Sequence, residues 1–170
     1  MAVTTLSSVV NENDARAAAG LTMVTGAVAF SYAYFDKQYI PLQVAASLFF
    51  VEFLIRVTLG LRYSPFGVVA RAMTLSRAPQ WVSATPKRFA WTLGLAMAFA
   101  MTVITNSGIR GYLPRTICLI CLTLMWLESV LGLCVGCKIY GLLALRGWVA
   151  VGDGDESCAD GYCEPTPGAW

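Results

Sequence analysis

Four separate stretches of this chain, residues 17–35, 40–61, 89–105 and 114–136, are nearly unbroken runs of apolar side chains. Crossing the hydrocarbon core of a bilayer takes about 20 such residues, because a helix rises about 1.5 Å per residue. Hydrocarbon offers no water to backbone N–H and C=O groups, so runs of this length satisfy them internally, as helices. The chain has 170 residues, 57% hydrophobic and 13% charged, against about 25% charged in an ordinary soluble domain. The expected fold is therefore all-α: a polytopic membrane protein built as a four-transmembrane-helix bundle with an interfacial helix. It should occupy 1–147, with an acidic, cysteine-containing tail over 148–170.

The punctuation between the runs supports that reading. Pro41 and Pro114 stand at span entrances, where the first helical turn has no use for the missing N–H. Asp36, Lys37 and Gln38 form a short turn after the first run, and Ser107, Gly108 and Gly111 form one before the last. Short turns make antiparallel hairpins, and two hairpins make a bundle. The fourth run is expected to stay helical past 136, to about 145.

Basic residues then set the orientation. If the 62–88 segment is cytoplasmic, that side holds Arg16, Arg62, Arg71, Arg77, Lys87, Arg88, Lys138 and Arg146, leaving Lys37, Arg110 and Arg115 on the other. Eight against three places both termini inside, in a bacterial cytoplasmic membrane or an organelle membrane of bacterial descent. Within that segment, 66–75 is apolar and flanked by arginines. It reads as an interfacial helix whose arginines face anionic lipid.

Several function classes are excluded. With no histidine in the chain, histidine-ligated haem or zinc and histidine acid–base catalysis are out of reach. A formal net charge of +2 does not suit nucleic-acid binding. Residues 1–11 carry no charge, so no secretory signal peptide is expected there.

Particular residues also match a known pattern in order. They are Asn13 with Arg16 and Ala17, then Glu52-Phe53-Leu54-Ile55-Arg56, Tyr63-Ser64-Pro65-Phe66, Pro86-Lys87-Arg88-Phe89-Ala90, and Glu128 followed by Gly132-Leu133-Cys134-Val135-Gly136-Cys137-Lys138-Ile139-Tyr140. In these, over roughly 13–147, the chain resembles the bacterial membrane family called domain of unknown function 4395. The resemblance implies a four-span membrane fold and no particular activity. The family typically has aspartate where Glu52 stands here, and Cys118, Cys121 and the tail cysteines fall outside its pattern.

Charges within the spans demand partners. A charged side chain at a helix centre costs about 2.5–3.5 kcal/mol on insertion scales. Glu52 and Arg56 are four apart on one helix and can pair. Glu128 is expected at a similar depth, completing a Glu52–Arg56–Glu128 cluster inside the bundle. Such a cluster is either an ionic lock between helices or a proton or ion site, and the scarcity of further polar groups favours the lock.

The six cysteines fall into three pairs: Cys118 and Cys121, Cys134 and Cys137, and Cys158 and Cys163 in the tail. Members of each C-x-x-C pair would share a helix face. Such a pair can exchange thiol for disulfide, as in membrane enzymes that pass electrons to a quinone. It can also hold Cu(I). Cys134, Cys137, Cys158 and Cys163 together could bind zinc, if the tail folds back. For Cys118 and Cys121, plain packing is the better account, since cysteine behaves as a small apolar residue, the pair lies mid-helix, and no histidine or nearby lysine favours a thiolate. Gly132 and Gly136 form a small-residue motif that lets helices approach closely. Cys134 and Cys137, with Lys138 beside them, are the better thiol candidates.

Two functional readings follow, and with no cofactor motif present the first is placed ahead of the second on the general run of small polytopic proteins. The first is a non-catalytic accessory or structural subunit of a larger membrane complex, in contact with lipid and with other subunits or itself. The second is a thiol-based redox, sulfur-transfer or soft-metal-handling protein using Cys134 and Cys137. A small transporter built round Glu52, Arg56 and Glu128 ranks behind both.

Overall fold

The structure is a computed structural model that describes residues 9–148. Cys158 and Cys163, and with them the tail half of the four-cysteine zinc site, lie outside the described residues. In chain order the elements are β1 (Val9–Asn11), α1 (Glu12–Phe35), α2 (Ile40–Thr58), a 3-10 turn (Leu61–Tyr63), α3 (Pro65–Thr74), β2 (Trp81–Ser83), α4 (Ala84–Asn106), α5 (Tyr112–Leu131) and α6 (Val135–Leu145). Among them α1, α2, α4 and α5 are long and apolar enough to cross a membrane. The all-α membrane-type bundle expected from the sequence is the one found.

The four long helices form a ring in the order α1, α2, α4, α5. Its inside is lined by small side chains: Ala18, Ala29 and Ala33 of α1, Ala45 and Ala46 of α2, and Ala98 of α4 are all buried. Large apolar residues such as Val28, Phe99, Leu119 and Trp126 are exposed instead. Water would penalise that distribution by about 25 cal/mol per Å² of bare apolar area. Hydrocarbon does not, and small interior residues let helix backbones approach closely.

Three boundaries differ from those expected. Helix α1 starts at Glu12, where the Asn11 side chain accepts from the Asn13 N–H as its cap. Helix α4 starts at Ala84, so Lys87 belongs to a spanning helix and not to the connector. The fourth apolar run is not one continuous helix. Helix α5 stops at Leu131, and Gly132 turns left-handed with φ 68°, a conformation open to glycine because it has no Cβ. Cys134 then caps the separate helix α6, which lies against the first turns of α4. There Tyr140 meets Phe89, with ring centroids 5.7 Å apart.

Two further features gather at the end of the bundle where α1 begins. Strands β1 and β2 form a small antiparallel ribbon, with Val10 opposite Val82. It is an exception to the all-α expectation that ties the N-terminal segment to the start of α4. Helix α3 covers the segment expected to be helical and packs on α1, where Thr74 hydrogen-bonds Asp14. Its Val68, Val69 and Met73 stay exposed, and Arg71 is exposed as well. Pro65 opens α3 after the capping Ser64, whose Oγ accepts from the Gly67 N–H at 3.1 Å. Gly67 has no room for a side chain, because a Cβ there would overlap the Leu61 carbonyl oxygen.

Candidate functional site

Glu52 and Arg56 lie one turn apart on α2, and both are buried. Their closest approach is 2.7 Å, from Arg56 Nη2 to Glu52 Oε1. The second carboxylate oxygen of Glu52 accepts from the Phe66 N–H at 3.2 Å, in the first turn of α3. There the helix dipole and its unpaired N–H groups favour a negative charge. Arg56 also reaches Thr22 Oγ1 of α1 at 3.4 Å and lies 5.0 Å over the Phe53 ring. The pair thus binds α1, α2 and α3 together, as a lock would.

Glu128 is buried at a different junction. Its Oε1 pairs at 3.1 Å with Lys87 Nζ of α4, which also lies 2.7 Å from Glu12 Oε2 of α1. Direct ion pairs thus join Glu52 with Arg56 and Lys87 with both Glu128 and Glu12, while the charge of Glu128 still acts on Arg56, with which it shares a cavity wall. Sequence reasoning counted Lys87 among the basic residues of the cytoplasmic side and gave Glu12 no structural part. One signal was available: Lys87 lies four residues before the buried Trp91 on the same helix face. Removing one partner of a buried pair costs about 3–5 kcal/mol, because the other is left as an uncompensated buried charge.

Between the four long helices and the start of α6 lies a cavity of about 400 Å³. Its walls are mostly apolar, among them Ala46, Phe53, Trp91, Met101 and Leu122. Thr22, Arg56 and Glu128 are its polar lining residues, and Cys118, Cys121 and Cys134 also contribute to its wall.

The cysteines divide sharply. Cys134 and Cys137 are joined by a disulfide, with Cα atoms 5.2 Å apart. Cys134 Sγ also accepts from the Cys137 N–H at 3.3 Å. The pair was expected on one face of a continuing helix; the Gly132 break puts it at a helix start instead. While bonded to each other, neither sulfur is a thiolate ligand for zinc or Cu(I). Cys118 and Cys121 are free. Cys118 is packed in the core with Ala29, Leu42, Ala46 and Met101.

The break before Cys134 is held from two sides. Arg16 Nη2 donates to the Val130 carbonyl at 3.0 Å and the Ser129 carbonyl at 3.4 Å, closing the last turn of α5. On the other side, Gly136 lets α6 press onto α4. A Cβ there would stand 2.6 Å from Ala90 Cβ and 2.7 Å from its Cα. Of the two residues read as a small-residue motif, Gly136 makes the close approach and Gly132 makes the turn.

Among the described residues, no group of three or more cysteine, aspartate or glutamate side chains is arranged to hold a metal ion. A family model described as Domain of unknown function (DUF4395) matches residues 10–144. No curated protein and no solved structure matches the chain.

Proposed function

The chain belongs to the DUF4395 family, and from that premise we propose that it is a thiol-based redox protein of the membrane, in which Cys134 and Cys137 interconvert between disulfide and dithiol. The observation that carries this reading is the disulfide at the N-terminus of α6. A helix start lowers thiol pKa values, which raises the fraction present as reactive thiolate and makes that thiolate a better leaving group. A structural role explains the bond poorly. Its partners are separated by three residues in sequence, and a cross-link stabilises least when the loop it closes is short. The basic-residue bias puts this end of the bundle on the cytoplasmic side, where persistent structural disulfides are rare and the usual ones are transient and catalytic.

The test is equilibration of the full chain, in detergent or lipid discs, with glutathione redox buffers, followed by alkylation and mass measurement. A reversible two-electron transition assigned to Cys134 and Cys137 is expected. A pair that stays oxidised at potentials below about −300 mV behaves as a structural disulfide and ends the reading.

The accessory-subunit reading has one observation in its favour. The apolar window of α5 is only 17% buried within the chain, leaving a broad outer face that either lipid or another subunit would cover. Purification from native membrane in mild detergent separates the two cases: stoichiometric larger partners support the subunit role. The zinc and Cu(I) readings require the reduced pair, and metal analysis after reduction tests them.

A further inference from the structure

The cavity beside the disulfide suggests what the thiols react with. We propose that it binds the ring of a lipid-soluble quinone, which accepts the electrons of the Cys134–Cys137 dithiol. The proposal rests on the redox reading above and adds the identity of the acceptor.

Four observations converge. The cavity lies among the spanning helices, so an occupant arriving from the lipid phase is itself apolar. A volume of about 400 Å³ falls in the range of about 300–1,000 Å³ that small-molecule sites occupy. Cys134 is part of the wall, so an occupant lies beside the redox pair. The wall also carries Arg56 and Thr22. A guanidinium has five N–H donors, more than Glu52 and Thr22 engage, and can donate to a ring carbonyl. A lipid acyl chain would fill the apolar part but has no group for these donors and no use for the disulfide.

The step balances. A substrate dithiol from the aqueous side reduces the Cys134–Cys137 bond by thiol–disulfide exchange and leaves as its own disulfide. The two cysteine S–H bonds then break as the S–S bond re-forms. Two electrons and two protons pass to the quinone, whose two C=O groups become C–OH.

The experiment uses the whole chain in lipid discs, reduced beforehand and kept free of oxygen, with decyl-ubiquinone as the probe. Its fully substituted ring disfavours direct thiol addition. About one quinol per chain is expected as the disulfide returns, at least about tenfold faster than in the Cys134→Ser, Cys137→Ser double variant. Leu122→Trp, which fills the cavity, should raise the quinone concentration for half-maximal rate about tenfold. If that variant does not fold, an azido-quinone on the unaltered chain should label peptides of α4 and α5. Labelling confined to outer, lipid-facing residues would overturn the site. No quinol formation, with glutathione exchange intact, would overturn this proposal and leave the redox reading standing. Failure of both reactions would remove both.

Discussion

Two C-x-x-C sequences occur in the last third of this chain, and the backbone gives them opposite fates. Cys118 and Cys121 lie within the unbroken helix α5 and are free thiols. Cys134 and Cys137 straddle the start of α6 and are bonded. Within a helix, neighbouring Cα–Cβ bonds all tilt toward the N-terminus and run nearly side by side. Two cysteines three apart are therefore close, but their sulfurs do not converge. At a helix start the first residue is extended, as Cys134 is with φ −80° and ψ 96°. Its side chain can then swing back over the first turn, toward Cys137. The spacing of the motif does not decide its chemistry; the local backbone does.

That contrast can be broken in stages. The largest effect is expected from Cys134→Ser or Cys137→Ser, either of which should abolish disulfide exchange. In the unaltered protein, brief maleimide treatment after reduction should modify these two well before Cys118 and Cys121, as read by peptide mass. Next is Gly136→Val, which forces a side chain into Ala90. Overpacking of this kind costs about 1–3 kcal/mol, and α6 should shift off α4 with a lower unfolding midpoint and slower exchange.

Gly132→Ala strikes at the break itself. An L-residue in the left-handed region costs about 1–2 kcal/mol. If α5 and α6 respond by merging into one helix, the second pair should come to resemble the first and lose its disulfide under oxidising conditions. Retention of the bond would show that Arg16 and the α4 contact hold the break without glycine. The smallest change should come from Arg16→Met. It removes hydrogen bonds worth about 1 kcal/mol each and should lower the thermal midpoint slightly while leaving the bond in place.

The same comparison shows what could be read from the sequence. The four spans were legible because hydropathy over about 20 residues is a strong signal. The break at Gly132 was hidden by that very signal, since Val130 and Leu131 before it and Leu133 and Val135 after it keep the run apolar on both sides. A lone glycine after an apolar turn was the one mark of a helix end, and it also fits a close-packing motif. The Glu52–Arg56 pair was legible because both partners sit on one helix. The partner of Glu128 was not, because Lys87 lies 41 residues away on another helix, in a stretch whose charge suggested solvent. Pairings between helices depend on rotations that no local pattern records.

Gly67 carries a consequence for divergence. The turn from Leu61 to Ser64 leaves that position no space for even a methyl group, and the same turn delivers the Phe66 amide to Glu52. A homologous chain with alanine or anything larger at this alignment column cannot inherit the connector unchanged. Its acidic residue in the second span must then find another donor, so this single column sorts descendants that keep the arrangement from those that rebuilt it.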